Sequence, residues 1–222
     1  MKKTFFTMLV TVSVACAVMA LVDGVIQPGY WVKSGIKLAL FLIVPLIFSR
    51  IDKNVSLAPL FRFEKRSFGL AAAVGAGVFA VILGGYFALR GALDFSGIVG
   101  SLTEGVGVGK HNFVFVAIYI ALVNSFLEEF FFRGFAFLTL KKCASRRVAY
   151  IFSAAAFSLY HVAMMIGWFG IGLWLLVMVG LAVGGVIFNY FNERSGTIYP
   201  SWFIHMCANL AINTVGIILI YS

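Results

Sequence analysis

Long apolar runs, separated by short polar and basic connections, make up most of this chain. A transmembrane helix needs roughly 20 consecutive apolar residues to cross a hydrocarbon core about 30 Å thick. Several of the runs reach that length, so the pattern predicts an all-α fold, a polytopic transmembrane helix bundle of about seven spans. We place the spans at about 4–20, 34–48, 68–89, 113–140, 148–167, 168–191 and 197–221.

The spans group into two halves of one integral membrane domain. Residues 1–112 are predicted to form N-terminal transmembrane helices with cytoplasmic and external loops, ending in a glycine-rich loop over 91–112. Residues 113–222 are predicted to form further transmembrane helices, and these carry the three polar motifs described below, which make them the candidate catalytic half. The first run ends in small residues, as a cleaved signal peptide does, but its apolar character continues, which favours a retained helix.

Small residues recur every four positions along the third span. Such a stripe lets a neighbouring helix approach closely in lipid, and we therefore expect it to form a helix–helix contact. Its members are Ala72, Ala76, Ala80, Gly84 and Ala88.

Composition supports the membrane assignment and excludes a soluble domain. Hydrophobic residues make up 62% of the chain, charged residues only 11%, and the mean hydropathy is +1.04. The net charge of +9 lies in short basic clusters between apolar runs, which is typical of cytoplasmic loops and predicts no nucleic-acid partner. The 3 cysteines form no CxxC pair, so neither a disulfide framework nor a thiolate metal site is indicated.

The basic residues are distributed unequally between the two sides of the predicted bundle. The N-terminus and the loops 50–66, 141–147 and 192–196 carry most of them, which predicts a cytoplasmic N-terminus and a C-terminus outside. The short chain without eukaryotic targeting signals favours a prokaryotic plasma membrane.

Ionisable and amide side chains inside the spans are the candidate functional residues, since each costs a few kcal/mol at the bilayer centre. They lie roughly 16–22 Å along their helices from the basic cytoplasmic ends, so they share one layer near mid-membrane. An apolar run over 130–132 follows the acidic pair and either faces lipid or lines a substrate entrance. The candidates are Glu128, Glu129 and Arg133 in the fourth span, His161 in the fifth, and His205 and Asn209 in the seventh.

The two adjacent glutamates are predicted to have different roles. Glu129 and Arg133 are spaced i,i+4 with the acid first, the favourable orientation for a helical ion pair. Glu128 points about 100° away around the helix and has no cation in its own helix. We therefore expect Glu128 to face the histidines, where a desolvated carboxylate is a good general base for water.

Three motifs in this order resemble those of the CAAX protease and bacteriocin-processing family. They are Glu128-Glu129-x-x-x-Arg133-Gly134, Ser153-x-x-x-Phe157-x-x-x-His161 and His205-x-x-x-Asn209. That family contains the type II CAAX prenyl endopeptidases and many bacterial intramembrane proteases. The signatures of rhomboid-like, presenilin-like and site-two intramembrane proteases are absent from the sequence.

The resemblance implies a role for each motif residue. Glu128 and His161 would activate a water molecule, and His205 and Asn209 would stabilise the oxyanion of the tetrahedral intermediate. Supporting positions around this site would be Glu129, Arg133 and Phe157. The implied partner is a membrane-associated protein or peptide within the lipid bilayer. Candidate substrates are prenylated CAAX-like tails, bacteriocin leader peptides and C-terminal sorting helices.

Three alternatives remain open at this stage. Glu128, His161 and His205 could instead hold a divalent metal such as zinc, although we favour a site without a cofactor. Buried Glu, His and Arg residues also suit a proton-coupled transporter, but no inverted repeat supports one. A proteolytically silent immunity or scaffolding protein would not need the complete set of motif residues. The sequence predicts no particular oligomeric state.

Overall fold

The computed structural model describes residues 2–93, 95, 108–166 and 170–221, without the side chains of 66 and 67. Every regular element within these ranges is helical, which confirms the all-α prediction. We number the long helices α1 (Lys2–Ile26), α2 (Tyr30–Ile51), α3 (Lys65–Leu89), α4 (Phe113–Lys142), α5 (Arg146–Met164), α6 (Ile171–Ser195) and α7 (Tyr199–Tyr221). Most of the predicted loop over 91–112 lies outside the described residues, as does the start of the predicted sixth span at 168.

Among the described residues, 6 helices are long and apolar enough to cross a membrane, which identifies an integral membrane protein. The helix that falls short of this criterion is α5, the predicted fifth span. Its first turn carries Arg146 and Arg147, and polar side chains including His161 follow further along the helix. The predicted bundle is therefore confirmed, with α5 as its most polar helix.

One carboxylate ties three helices together at the predicted cytoplasmic ends. Glu193, near the end of α6, accepts hydrogen bonds from Lys141 at 2.9 Å and from Arg146 Nη2 at 2.6 Å. Tyr150 donates a further hydrogen bond to Glu193 at 2.7 Å. The more polar helix α5 is thus fastened to both α4 and α6.

The central helix is α4, and it departs from α-helical geometry in two places. Its segments Ile120–Asn124 and Glu129–Thr139 are π-helical. Such wide turns disturb the regular backbone ladder, and in lipid the carbonyl groups need donors from neighbouring helices. Helix α7 supplies them, since Trp202 Nε1 donates to the Leu122 carbonyl at 3.1 Å.

The aromatic run of α4 lies inside the protein. Phe130, Phe131 and Phe132 are each 0% exposed, and Phe41 of α2 stacks on Phe131 with ring centroids 4.2 Å apart. The expectation that this run faces lipid or lines an entrance was wrong. In the wide π-helical segment, successive side chains all meet neighbouring helices.

The small-residue stripe of α3 is not the face that packs inside the protein. Ala76, Ala80, Gly84 and Ala88 are exposed, whereas Gly75 is buried against α7. A Cβ atom added at Gly75 would lie 2.9 Å from the sulfur of Cys207. Residues four positions apart are rotated by about 40° from each other around an α-helix. The members of a stripe this long therefore do not all face the same neighbouring helix.

Candidate active site

Three predicted residues meet between α4, α5 and α7. Glu128 is 1% exposed, and its Oε2 atom lies 3.8 Å from His161 Nε2. The same oxygen lies 3.7 Å from His205 Nε2. The structure thus brings together a carboxylate and two imidazoles that are far apart in the sequence.

Both imidazoles are oriented through their other ring nitrogen. His161 Nδ1 donates to the Phe157 carbonyl at 2.7 Å, one turn earlier in the same helix. Because a carbonyl only accepts, Nε2 of a neutral His161 carries a lone pair. His205 Nδ1 lies 2.9 Å from Glu129 Oε1. This carboxylate oxygen is also an acceptor, so Nδ1 is the bound ring nitrogen in His205 as it is in His161. Both Nε2 atoms therefore face Glu128.

The predicted ion pair is present in α4. Arg133 Nε lies 3.5 Å from Glu129 Oε2, and both side chains are 0% exposed. The Arg133 guanidinium also lies 3.9 Å from the centroid of the Phe157 ring, a cation–π arrangement. Glu129 thus contacts a permanent cation with one oxygen and His205 with the other.

Phe157 forms the aromatic wall of the site. Its ring centroid lies 4.8 Å from that of His161 and 5.8 Å from that of His205. Ser153, one turn earlier, donates to the Phe132 carbonyl of the π-helical segment at 2.8 Å. The second motif therefore contributes an aromatic spacer and a backbone partner as well as its histidine.

Asn209 lies one turn after His205 on α7. Its Nδ2 donates to the Ile120 carbonyl at 3.2 Å, at the start of the first π-helical segment. This bond uses one amide hydrogen and leaves the other for a ligand. The oxyanion role of Asn209 stays a prediction.

Sequence reasoning missed a charged residue at this site. Lys37 of α2 donates to Glu128 Oε1 at 3.0 Å and to Asn124 Oδ1 at 2.6 Å. Glu128 has no cation in its own helix, and a different helix supplies one. The available signal was a lysine inside the second apolar run, because a charge within a span tends to face the protein interior.

The absence of a metal at this site stays a prediction. Among the residues that the structure describes, no group of three or more His, Cys, Asp or Glu side chains could hold a metal ion. The Lys37 ammonium next to Glu128 would also repel a divalent cation. Both histidines nevertheless have the acceptor-bound Nδ1 that metal-binding histidines commonly have.

Comparison with known proteins finds similarity to one family. The family model described as "Type II CAAX prenyl endopeptidase Rce1-like" matches residues 110–211, a range that contains all three motifs. No curated protein and no solved structure matches the chain.

Proposed function

We propose that the chain is an intramembrane endopeptidase whose catalysis is of the glutamic type, and its match over residues 110–211 to type II CAAX prenyl endopeptidase Rce1-like proteins supports this proposal. Glu128 and His161 activate water, and His205 and Asn209 stabilise the oxyanion. The observation that carries the proposal is the position of Glu128 Oε2, within 3.8 Å of both histidine Nε2 atoms in a buried site.

The proposed reaction starts with water held between Glu128 and His161. Glu128 Oε2 removes one proton while the lone pair on His161 Nε2 orients the other hydrogen. The resulting hydroxide attacks the scissile carbonyl carbon, and the carbonyl oxygen becomes an oxyanion. Glu128 then passes its proton to the departing amine, which breaks the peptide bond and restores the carboxylate.

His205 needs a proton on Nε2 to stabilise the oxyanion. Its Nδ1–H points to Glu129 Oε1 at 2.9 Å, so an Nε2–H requires the imidazolium form. Asn209 supplies a neutral second donor. Preorganised donors in a buried site are worth a factor of about 10²–10³ in rate each.

We further propose where the enzyme works and on what. The basic loops favour a prokaryotic plasma membrane with the N-terminus in the cytoplasm and the C-terminus outside. A site buried among helices favours a substrate that enters from the bilayer, such as a prenylated CAAX-like tail, a bacteriocin leader or a C-terminal sorting helix.

A zinc-dependent version of the same protease is the second candidate. It is favoured by the convergence of two Nε2 atoms on Glu128 Oε2 at 3.7 and 3.8 Å, and the adjacent Lys37 opposes it. The residues that would hold zinc are Glu128, His161 and His205. Removal of bound metal with a chelator distinguishes the metal-free protease, which should stay active, from the zinc-dependent one, which should lose activity.

The decisive experiment compares protein termini in membranes from cells that produce the wild-type protein, Glu128→Ala or His161→Ala. His111→Ala is the matched control, since this histidine lies in a turn before α4 and not in the site. We expect a set of new termini in membrane-associated proteins with wild type and with the control, and their loss with both site variants. Identical termini in all four samples would refute the proposed function.

A further inference from the structure

Lys37 is the site contact that neither the motifs nor the family match explains, because it lies outside residues 110–211. Its side chain is 5% exposed and its ammonium bonds to Glu128 Oε1 at 3.0 Å. The ammonium also lies 5.1 Å from the centroid of the Tyr160 ring. A lysine buried at this depth requires compensation, and Glu128 supplies the opposite charge.

The two oxygens of the Glu128 carboxylate have different partners. Oε1 accepts a hydrogen bond from Lys37 Nζ at 3.0 Å and another from Asn124 Nδ2 at 3.0 Å. Asn124 Oδ1 in turn accepts from Lys37 Nζ at 2.6 Å, which closes a three-membered network. Oε2 has no part in this network and faces the two histidines.

We infer that Lys37 is a positioning residue, which holds Glu128 ionised and fixes its carboxylate with Oε2 toward the histidines. The catalytic consequence rests on the proposed role of Glu128 as the base. A base must be free of its proton before it can accept one from water, and a buried carboxylate without a cation tends to become protonated.

The other charged groups around Glu128 contact its second oxygen or pair with a different carboxylate. His161 and His205 face Oε2 and are cations only when protonated. Arg133, on the same helix, pairs with Glu129. Within the described ranges, Lys37 is thus the lysine or arginine side chain that contacts Glu128, and it does so through Oε1.

Infrared spectroscopy of the purified protein in detergent tests the charge of Glu128 directly and needs no substrate. At neutral pH, Lys37→Met should gain the carbonyl stretch of a protonated carboxylic acid, because the ionised form has lost its partner. The band should be absent from the wild type and from Lys37→Met with Glu128→Gln. Lys37→Arg keeps the positive charge and should not show the band.

A second buried pair one turn earlier in α2 provides the matched control. Lys33 forms an ion pair with Asp23 of α1 and does not contact Glu128. The double variant Lys33→Met with Asp23→Asn therefore removes a buried lysine–carboxylate pair of the same kind. It should leave the Glu128 region of the infrared spectrum unchanged.

The pH dependence of cleavage provides the functional readout, with the substrate identified by the termini comparison. Loss of a nearby cation should move the acidic limb of the Lys37→Met profile to higher pH by about one to three units. Activity lost at low pH should therefore return as the pH rises, which a purely structural defect would not produce. Lys37→Arg should keep the wild-type limb.

Three results would overturn the inference. They are an acid band of Glu128 already present in the wild type, no band in Lys37→Met, or an unshifted acidic limb in that variant. If Lys37→Met does not fold, adding Glu128→Gln must restore its yield, and failure to do so also contradicts the inference. An active Glu128→Gln enzyme would instead refute the proposed catalysis, while the infrared result would still report on the pair.

Discussion

Neutralising Glu128 and Glu129 one at a time distinguishes two carboxylates that are adjacent in the sequence. Each substitution to glutamine leaves a buried cation behind, Lys37 in one case and Arg133 in the other. The two cations respond differently, because a buried lysine can release its proton whereas a guanidinium stays charged. The stability loss should therefore be larger for Glu129→Gln.

The structure sets the expected magnitudes. Breaking a buried pair and leaving one charge uncompensated destabilises a protein by about 3–5 kcal/mol, the range expected for Glu129→Gln. In Glu128→Gln the amide oxygen can still accept from Lys37, so we expect about 1–3 kcal/mol, the cost of imperfect hydrogen bonding. The measurement is thermal unfolding in detergent, with the yield of folded protein as a second readout.

Double variants provide the controls. Glu129→Gln with Arg133→Met should regain most of the stability lost by the single variant, since both charges are gone. Recovery should be incomplete, because Arg133 also packs 3.9 Å from the centroid of the Phe157 ring. Glu128→Gln with Lys37→Met should likewise be at least as stable as Glu128→Gln.

Activity separates the two positions more sharply than stability does. Glu128→Gln should abolish cleavage, since a general base contributes a factor of about 10²–10⁴ in rate. Glu129→Gln keeps an acceptor for His205 Nδ1, so its folded fraction should retain part of the wild-type activity. A stable, inactive Glu129→Gln together with an active Glu128→Gln would show that the two roles are reversed.

Three further predictions concern metal, topology and packing. The purified enzyme should contain no stoichiometric zinc and stay active after dialysis against EDTA, whereas loss of activity restored by zinc would favour the metal-dependent candidate. With the native cysteines replaced, a cysteine at Ser145 should resist an impermeant maleimide in intact cells and one at Ser222 should react, and the opposite pattern would invert the topology. Gly75→Val should destabilise the protein by about 1–3 kcal/mol because it crowds Cys207, whereas Gly84→Val, with no neighbour within 4 Å, should unfold like the wild type.

Local spacing in the sequence predicted the parts of the site that depend on one helix. The Glu129–Arg133 pair follows from an i,i+4 register, and the proximity of Glu128 to the histidines follows from their common depth. The contact of Lys37 with Glu128 spans 91 positions, so no local pattern could indicate it. A depth estimate for Lys37 would have placed it among the candidates.

Other features depended on backbone geometry that the residue pattern does not specify. The burial of Phe131 follows from a π-helical segment, whose wider turn rotates each side chain away from its α-helical direction. The contact expected for the small-residue stripe on α3 was wrong for a different reason. The four-residue spacing continues around a regular helix, whereas the contact with α7 uses Gly75, which is not part of the stripe.

The polarity of α5 has a consequence for biosynthesis. A helix that carries His161 among its apolar residues inserts less readily than its neighbours, because an ionisable side chain within the bilayer costs up to a few kcal/mol. The next helix supplies a partner within the membrane, since the Met178 carbonyl of α6 accepts a hydrogen bond from Ser158 of α5 at 3.0 Å, so we expect α5 and α6 to enter the membrane together as a hairpin. His161 would then reach its place beside Glu128 only after α6 has been synthesised. Nascent chains that end before α6 would be proteolytically inert, which delays any peptidase activity until the bundle is nearly complete.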